Sequence, residues 1–148
     1  MPETLPLLAR WAHILAAITL LGGGLFVRVV LFPTMRDDLS TAERDRLRSG
    51  FIRRWKWMVH SAIFLLLVSG FYNYLVLTYP LHEGQPLYHA LIGTKMLLAF
   101  VVFFLVIVVT SSGKMFQKMR AKAPTLMLAA VTLGIVIVLL SGFAGKMP

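Results

Sequence analysis

Four apolar stretches of this sequence each contain one side chain that can bind a ligand or form a hydrogen bond. They are His13, Asn73, Lys95 and Ser141, and Lys95 lies about a third of the way into "YHALIGTKMLLAFVVFFLVIVV". A neutral imidazole can bind haem iron or copper, relay a proton or simply bond a neighbouring hydroxyl. A lysine near the middle of a membrane span costs at least about 2.5 kcal/mol and usually marks a pathway or a site. These residues therefore indicate metal, redox or proton chemistry.

Arg28 is a further candidate on the same stretch as His13. At about 100° per residue the two side chains lie along one helical stripe, whose other members Ala17 and Gly24 are small. Small residues allow another helix or a flat cofactor to come close, and ordinary tight helix packing explains them as well. Since Arg28 lies near the end of its stretch, its side chain either contacts a substrate or propionate group or reaches out to the membrane surface.

Histidines beside a turn offer another possible metal site. His82 and His89 flank the segment "PLHEGQPLY", with Glu83 between them. Met96 shares a helical face with His89 and would add a thioether. Histidines are also common in loops that bind nothing. His89 is therefore a candidate metal ligand, in addition to the more deeply placed His13.

Several other classes of chemistry are disfavoured by what the sequence lacks. It has no cysteine, so disulfides and thiolate metal sites are excluded. There is no phosphate-binding Gly-rich loop before a helix and no serine nucleophile motif. No Asp or Glu lies inside an apolar stretch, which disfavours a proton-driven transporter built on a carboxylate. Redox or metal chemistry remains.

Composition indicates an integral membrane protein. Of the 148 residues, 58% are hydrophobic and 14% are charged, and the mean hydropathy is +0.79; a soluble domain would be about 25% charged. The apolar residues form four runs of about 18 residues or more, each long enough to cross a bilayer as a helix. We predict a single domain, residues 1–148, folded as an all-α antiparallel four-helix transmembrane bundle. The predicted spans are at about 7–32, 57–78, 87–112 and 125–143.

Basic side chains are concentrated in two connections, residues 36–56 and the segment before the fourth span. By the positive-inside rule both connections face the cytoplasm, which places both termini and the turn near Leu81 outside. Ser40 and Glu43 have capping-box spacing, so we expect a basic amphipathic helix that starts there and can continue into the second span. The net charge of +9 is explained by topology and by anionic lipid at the cytoplasmic face, rather than by nucleic acid.

The polar residues of the spans are expected to lie at similar depths. At about 1.5 Å per residue, His13, Asn73 and Lys95 lie about 8–12 Å below the outer boundary, and Ser141 is shallower. Lipid offers these groups no partner, so they should face the interior of the bundle. Because no carboxylate lies nearby in the spans, a charged Lys95 would need a counter-ion from a ligand.

Three segments of the chain resemble known membrane proteins. "RWAHILAAITLLGGGLF", "FLLLVSGFYNYLVL" and "LYHALIGTKMLLAFVVFFLVIVV" are similar to the first three helices of the copper-resistance D (CopD) family. The order of one histidine and then one lysine also resembles HemJ-type protoporphyrinogen oxidases, which are small four-helix haem-associated membrane proteins. The resemblance implies that His13 and Lys95 are the functional positions and that the protein lies in a bacterial inner membrane. The third span lacks the second histidine expected after the lysine in HemJ, and copper transport would call for a thiol or an outer methionine cluster that the chain lacks.

Three functions remain open at this point. The first is a redox protein associated with haem b, in which His13 is an axial ligand and Lys95, with Asn73 and Arg28 as further contacts, holds or tunes the cofactor. The second is copper binding or passage through His13 and His89. The third is a non-catalytic membrane subunit that uses His13 and Lys95 only for packing or assembly. Expected partners are the lipid bilayer, haem or copper, and a second copy of the chain or a redox partner.

Overall fold

The computed structural model describes residues 4–144, and within them the chain is almost entirely helical and contains no strand. The α-helices of this part are α1 (Thr4–Phe26), α2 (Phe32–Asp38), α3 (Thr41–Tyr72), α4 (Pro86–Thr110), α5 (Gln117–Arg120) and α6 (Ala123–Ala144). A π-helical segment, Val27–Leu31, joins α1 to α2, and a second one, Asn73–Thr78, extends α3 into the 3₁₀ turn Tyr79–His82. The resulting four helical stretches are long and apolar enough to cross a membrane.

These four stretches coincide with the predicted spans but extend beyond several of their ends. The first continues past Phe32 to Asp38, and the second begins at Thr41 rather than near Trp57. The predicted capping box explains the second start: Ser40 accepts a hydrogen bond from the Glu43 amide, and the Glu43 carboxylate accepts one from the Ser40 amide. The predicted helix in the basic connection is confirmed, and it is continuous with the second span.

Both π-helical segments lie just before a proline. Pro33 and Pro80 have no amide hydrogen, and their rings would collide with the carbonyls of Val29 and Val76, four residues earlier. Widening the helix to π geometry over the preceding residues relieves this collision without ending the helix. At the second segment, the Thr78 hydroxyl donates to the Asn73 carbonyl at 2.5 Å and so bonds a carbonyl of the widened turn.

The long helices form two antiparallel pairs. His13 meets Ser69 and Gly23 meets Trp55, so α1 and α3 run in opposite directions. The Trp55 ring lies against Gly23 so closely that a Cβ there would collide with it. Helices α4 and α6 form the other pair, and the two pairs contact each other less extensively, through α1 with α6 and α3 with α4. This arrangement leaves space between the pairs.

Large apolar side chains cover the outer surfaces of all four helices. Leu15, Ile18, Phe64, Leu97 and Leu139 are between 62% and 68% exposed. Monomeric soluble proteins rarely expose continuous apolar surfaces of this extent. Together with the length of the helices, these surfaces suggest contact with a lipid bilayer and a multi-pass membrane protein.

The two basic connections lie at the same end of the bundle, where Arg53 of α3 and Arg120 of α5 line one groove. We call this the basic end, and the opposite end, formed by residues 73–90, the turn end. The Arg44 side chain donates hydrogen bonds to the carbonyls of Met35, Arg36 and Leu39 and so terminates α2. The predicted arrangement of both connections on one side is therefore confirmed, whereas which side of a membrane they face stays a prediction.

Candidate ligand-binding cavity

A cavity of about 690 Å³ lies between the two helix pairs. Protein interiors are normally packed to the density of organic crystals, with few voids larger than a water molecule. The volume is within the range of about 300–1,000 Å³ found for small-molecule sites. Most of the wall is aliphatic or aromatic. Such a space suits an apolar ligand that carries a small number of polar groups.

The four polar side chains that are expected to face the bundle interior, one from each helical stretch, line this cavity together with the hydroxyl groups of Tyr74, Thr78 and Tyr88. The four are His13 of α1, Asn73 at the end of α3, Lys95 of α4 and Ser141 of α6. The residues that stand out in the apolar stretches of the sequence thus surround one space. Whether they hold a cofactor stays a prediction.

The polarity of the cavity changes along its length. His13 and Lys95 lie toward the turn end, whereas Gly24, Val106 and Met127 line the part nearer the basic end. Gly24 is eleven residues after His13 in one continuous helix, which corresponds to about 16 Å. A ligand that fills the cavity would therefore have its polar edge at the turn end and an apolar body extending toward the basic end.

His13 is held by a hydrogen bond across the first helix pair. Its Nδ1 lies 2.9 Å from the Ser69 hydroxyl oxygen, and the Ser69 hydroxyl donates its single proton to the Leu65 carbonyl. The hydroxyl oxygen must therefore accept from His13, which places the imidazole proton on Nδ1. A neutral imidazole in this tautomer has a lone pair on Nε2.

Gly70 allows the imidazole to approach α3. A Cβ at this position would lie 3.2 Å from Cε1 and 3.6 Å from Nδ1 of His13, and more than 4 Å from its other ring atoms. The side of the ring that carries Nδ1 thus faces α3, and Nε2 is the nitrogen farther from that helix. Ser69 orients the ring and Gly70 leaves space for it. These two adjacent residues of the second span together fix the position of the His13 side chain.

Lys95 and Asn73 have polar atoms for which the protein supplies no partner. Among residues 4–144, the Lys95 side chain makes no hydrogen bond or ion pair, and no Asp or Glu lines the cavity. The Asn73 Oδ1 atom is buried and has no hydrogen-bond partner. Buried polar groups normally have a partner, so Asn73 Oδ1 and the half-buried Lys95 amine are candidate contacts for a ligand in the cavity.

His89 does not line the cavity, and both of its ring nitrogens already have partners. Its Nε2 donates to the His82 carbonyl at 3.0 Å, and its Nδ1 therefore accepts from the Tyr74 hydroxyl at 3.0 Å. The His82 ring stacks on Tyr88 with centroids 3.7 Å apart, and its Nδ1 contacts the Thr78 carbonyl. This cluster closes the turn end of the bundle, and a metal at His89 would have to displace one of these bonds.

Arg28 lies in the first π-helical segment and is not part of the cavity wall. Its Nε atom is buried without a hydrogen-bond partner in the described chain, as is Nε1 of Trp55. Arg28 is fifteen residues after His13 in one helical stretch, which corresponds to about 22 Å. The structure therefore separates Arg28 from His13, Asn73 and Lys95.

Tyr74, Met96 and Met127 also line the cavity. The sequence does not predict Tyr74 or Met127 there. The sequence carries no signal for Met127, because how far the cavity extends toward the basic end does not follow from apolar periodicity. Tyr74 reaches the wall through the π-helical segment that follows α3. Pro80, six residues later, was the available signal, since a proline near the end of a span is a common cause of such a widening.

The chemistry of the wall is compatible with haem. The His13 imidazole has a lone pair on Nε2, a protonated Lys95 would have no counter-ion among residues 4–144, and the remaining wall is largely apolar. No group of three or more His, Asp or Glu side chains that could enclose a metal ion occurs within residues 4–144. A metal that brings its own ring of ligands, as haem does, needs only one or two axial ligands from the protein.

Comparisons with protein families, with curated proteins and with solved structures give no match for this chain. The resemblance to copper-resistance D and HemJ-type proteins consequently rests on the three quoted segments alone.

Proposed function

We propose that this chain is a small integral membrane protein that binds haem b in the central cavity and takes part in electron transfer. The observation that carries the proposal is the hydrogen bond from His13 Nδ1 to Ser69, because it leaves a lone pair on Nε2 of a residue in the cavity wall. Histidines that bind metals almost always donate their other ring N–H to a neighbouring acceptor, which fixes the ring and the tautomer. The resemblance to haem-associated four-helix proteins supports the same cofactor.

Each wall residue has a distinct task in this proposal. Ser69 and Gly70 orient His13, which would be an axial ligand of the iron. Lys95 would pair with a propionate group, which removes the cost of leaving its charge without a partner. Asn73 lies at the same end and would bond a polar group of the ligand edge, while Arg28 lies too far along the bundle to share this task. When bound, haem b would supply one-electron transfer.

The orientation of the chain is part of the proposal. The basic end would face the cytoplasm, and the turn end and both termini would lie outside, by the positive-inside rule. This places the polar half of the cavity nearer the outer surface of a bacterial inner membrane. An electron partner would then reach the cofactor from the outer side or through a second copy of the chain.

Copper binding is the second candidate, because Met96 and His13 line the same cavity. A thioether and an imidazole are suitable ligands for Cu(I). His89 adds little to this site, since both of its nitrogens are hydrogen-bonded. The other methionine of the wall, Met127, lies against Gly24, eleven residues along α1 from His13. Only His13 and Met96 could therefore share one ion, and copper would be held less completely than haem.

The visible spectrum of the full chain, produced in cells supplied with haem precursor and purified in detergent, separates the candidates. A Soret band with a near-stoichiometric haem content supports the proposal. A colourless sample that contains copper supports the second candidate. A colourless sample without copper would leave a non-catalytic membrane subunit as the function.

A further inference from the structure

A second concave site lies at the basic end, outside the ligand-binding cavity. It is a groove of about 1100 Å³ between the first half of α3 and the segment that connects α4 to α6. Five cationic side chains and a single carboxylate, Asp45, line it. The cations are Arg46, Arg48, Arg53, Lys56 and Arg120. The groove therefore has a net positive charge that the protein does not compensate.

Four of the five cations of the groove, all except Arg120, make no contact that stabilises the fold within residues 4–144. Among residues 4–144 the only ion pair is between Arg36 and Asp37, which lie outside the groove. The side chains of Arg46, Arg53 and Lys56 make no hydrogen bond in this part of the chain, whereas that of Arg44 is fully engaged in terminating α2. Positive groups placed together without acids normally repel one another. Their concentration in one concave surface indicates an anion supplied from outside.

The sequence of α3 explains how these residues reach one surface. Arg46, Ser49, Arg53 and Lys56 are separated by three, four and three residues, so they lie along one face of the helix. Ser111 and Ser112 form part of the opposite wall. The Arg120 guanidinium donates to the Ser111 carbonyl, which holds that wall in place. The groove thus offers guanidinium and hydroxyl donors from two sides, as a phosphate group requires.

The position of the groove identifies the source of the phosphate. It lies where the apolar part of α3 begins, and Trp57 at its edge is 76% exposed. Exposed Trp residues at the ends of apolar helices are typical of the boundary between lipid tails and headgroups. Phe64 of α3 and Phe104 of α4 are exposed beyond that edge. A lipid whose headgroup fills the groove could lay its acyl chains on these apolar surfaces.

We propose that the groove at the basic end is a binding site for the phosphate headgroup of an anionic membrane lipid. This site is independent of the haem proposal, because the two concavities have no lining residue in common. Basic pockets between helices at a membrane surface are a known means of holding such lipids.

The test uses the full chain in a neutral detergent, titrated with phosphatidylglycerol or with phosphatidylcholine, with bound lipid measured by native mass spectrometry. The groove variant is Arg53→Gln with Lys56→Gln. The matched control is Arg54→Gln with Lys114→Gln, which removes the same charge from the same end but outside the groove. At about fivefold per basic residue, the groove variant should bind phosphatidylglycerol about 25-fold more weakly. The control should change much less.

Two further measurements test the proposal even if the groove variant is unstable. Asp45→Asn removes the single acid of the groove and should strengthen phosphatidylglycerol binding by about fivefold. Inorganic phosphate should not displace the lipid, because it lacks the acyl chains. Equal losses in groove and control variants, no gain in Asp45→Asn, tight binding of phosphatidylcholine, or displacement by inorganic phosphate would each overturn the assignment.

Discussion

At the scale of single residues, the account depends on how His13 is held. Ser69 uses its only proton on the helix backbone and so can only accept from the imidazole. Gly70 removes the side chain that would otherwise occupy the space of the ring. The position of His13 could be predicted from the sequence because a histidine in an apolar span is conspicuous. The contribution of Ser69 and Gly70 could not be predicted, because a Ser-Gly pair in a membrane helix usually indicates only close helix packing.

The contribution of Gly70 can be tested by comparing it with Gly142, which has the same neighbours in the sequence but does not contact His13. A Cβ at Gly70 would lie 3.2 Å from His13 Cε1, whereas a Cβ at Gly142, in the similar "SGF" of α6, would meet nothing within 4 Å. We expect Gly70→Ala to tilt the imidazole and weaken haem binding by about tenfold, as when a supporting partner of a metal ligand is lost. Gly142→Ala should bind haem normally. Haem titration of both variants is the measurement, and equal affinities would remove Gly70 from the site.

Lys95 is the second residue whose contribution can be measured. Since no carboxylate lines the cavity, its charge requires an anionic group of the ligand. We expect Lys95→Met to insert and fold normally but to bind haem about 10- to 150-fold more weakly, because a hydrogen bond to a charged group contributes about 1.5–3 kcal/mol. Lys95→Arg should be the milder change. Haem content and thermal stability of the three proteins in one detergent check this.

The opposite result for Lys95 is also well defined. If the side chain only extends toward the membrane surface, methionine should remove a desolvation cost and fill a similar volume. Equal haem content in all three proteins, with Lys95→Met the most stable, would mean that the lysine has no functional task.

At the scale of helices, Pro33 and Pro80 each follow a π-helical segment, but only the segment before Pro80 contributes to the cavity wall. The π turn before Pro80 brings Asn73 and Tyr74 to the cavity wall, whereas no residue of Val27–Leu31, the segment before Pro33, lines it. The existence of four long helices could be predicted from apolar runs alone. Pro33 and Pro80 mark where the helix could widen, but whether it does depends on how the neighbouring helix accommodates the proline, which hydrophobic periodicity does not report.

A matched pair of proline variants tests the function of the second π segment. Pro80→Ala restores an amide and permits regular α-helical geometry, which would rotate Asn73 and Tyr74 relative to the cavity. We expect several-fold weaker haem binding in this variant. Pro33→Ala should leave haem binding unchanged, because its π segment lies outside the cavity. Similar affinities of both variants would show that the widened turn does not shape the site.

At the scale of the whole molecule, the distribution of charge in the sequence and the packing of the helices both place the two basic connections at one end of the bundle. The sequence places the basic residues in two connections, and the structure brings these to one end of the bundle. Four polar side chains from distant parts of the chain line one cavity, as expected for groups that lipid cannot satisfy. The extent of the cavity could not be predicted, because it depends on how far apart two apolar helix pairs settle, and the polar residues mark only its turn end.

Topology is the prediction that belongs to this scale. We expect alkaline phosphatase fused after Pro148 to be active outside the cytoplasm, and the same enzyme inserted after Gly113, in the basic connection, to be inactive. Fluorescent protein fusions at the two positions should give the reverse pattern. Activity of the Gly113 fusion alone would show that the basic end faces outward.

The measurement closest to the central claim is the haem content of His13→Ala, compared with His60→Ala and with the unaltered protein. His60 is an exposed histidine of α3 whose Nδ1 contacts the Lys56 carbonyl, and it lies outside the cavity. All three proteins should insert and elute alike, and only His13→Ala should lose the Soret band, because haem depends on its axial ligand far more than the bundle depends on one imidazole. Undiminished haem in His13→Ala, or equal loss in both variants, would contradict the assignment of His13 as the ligand.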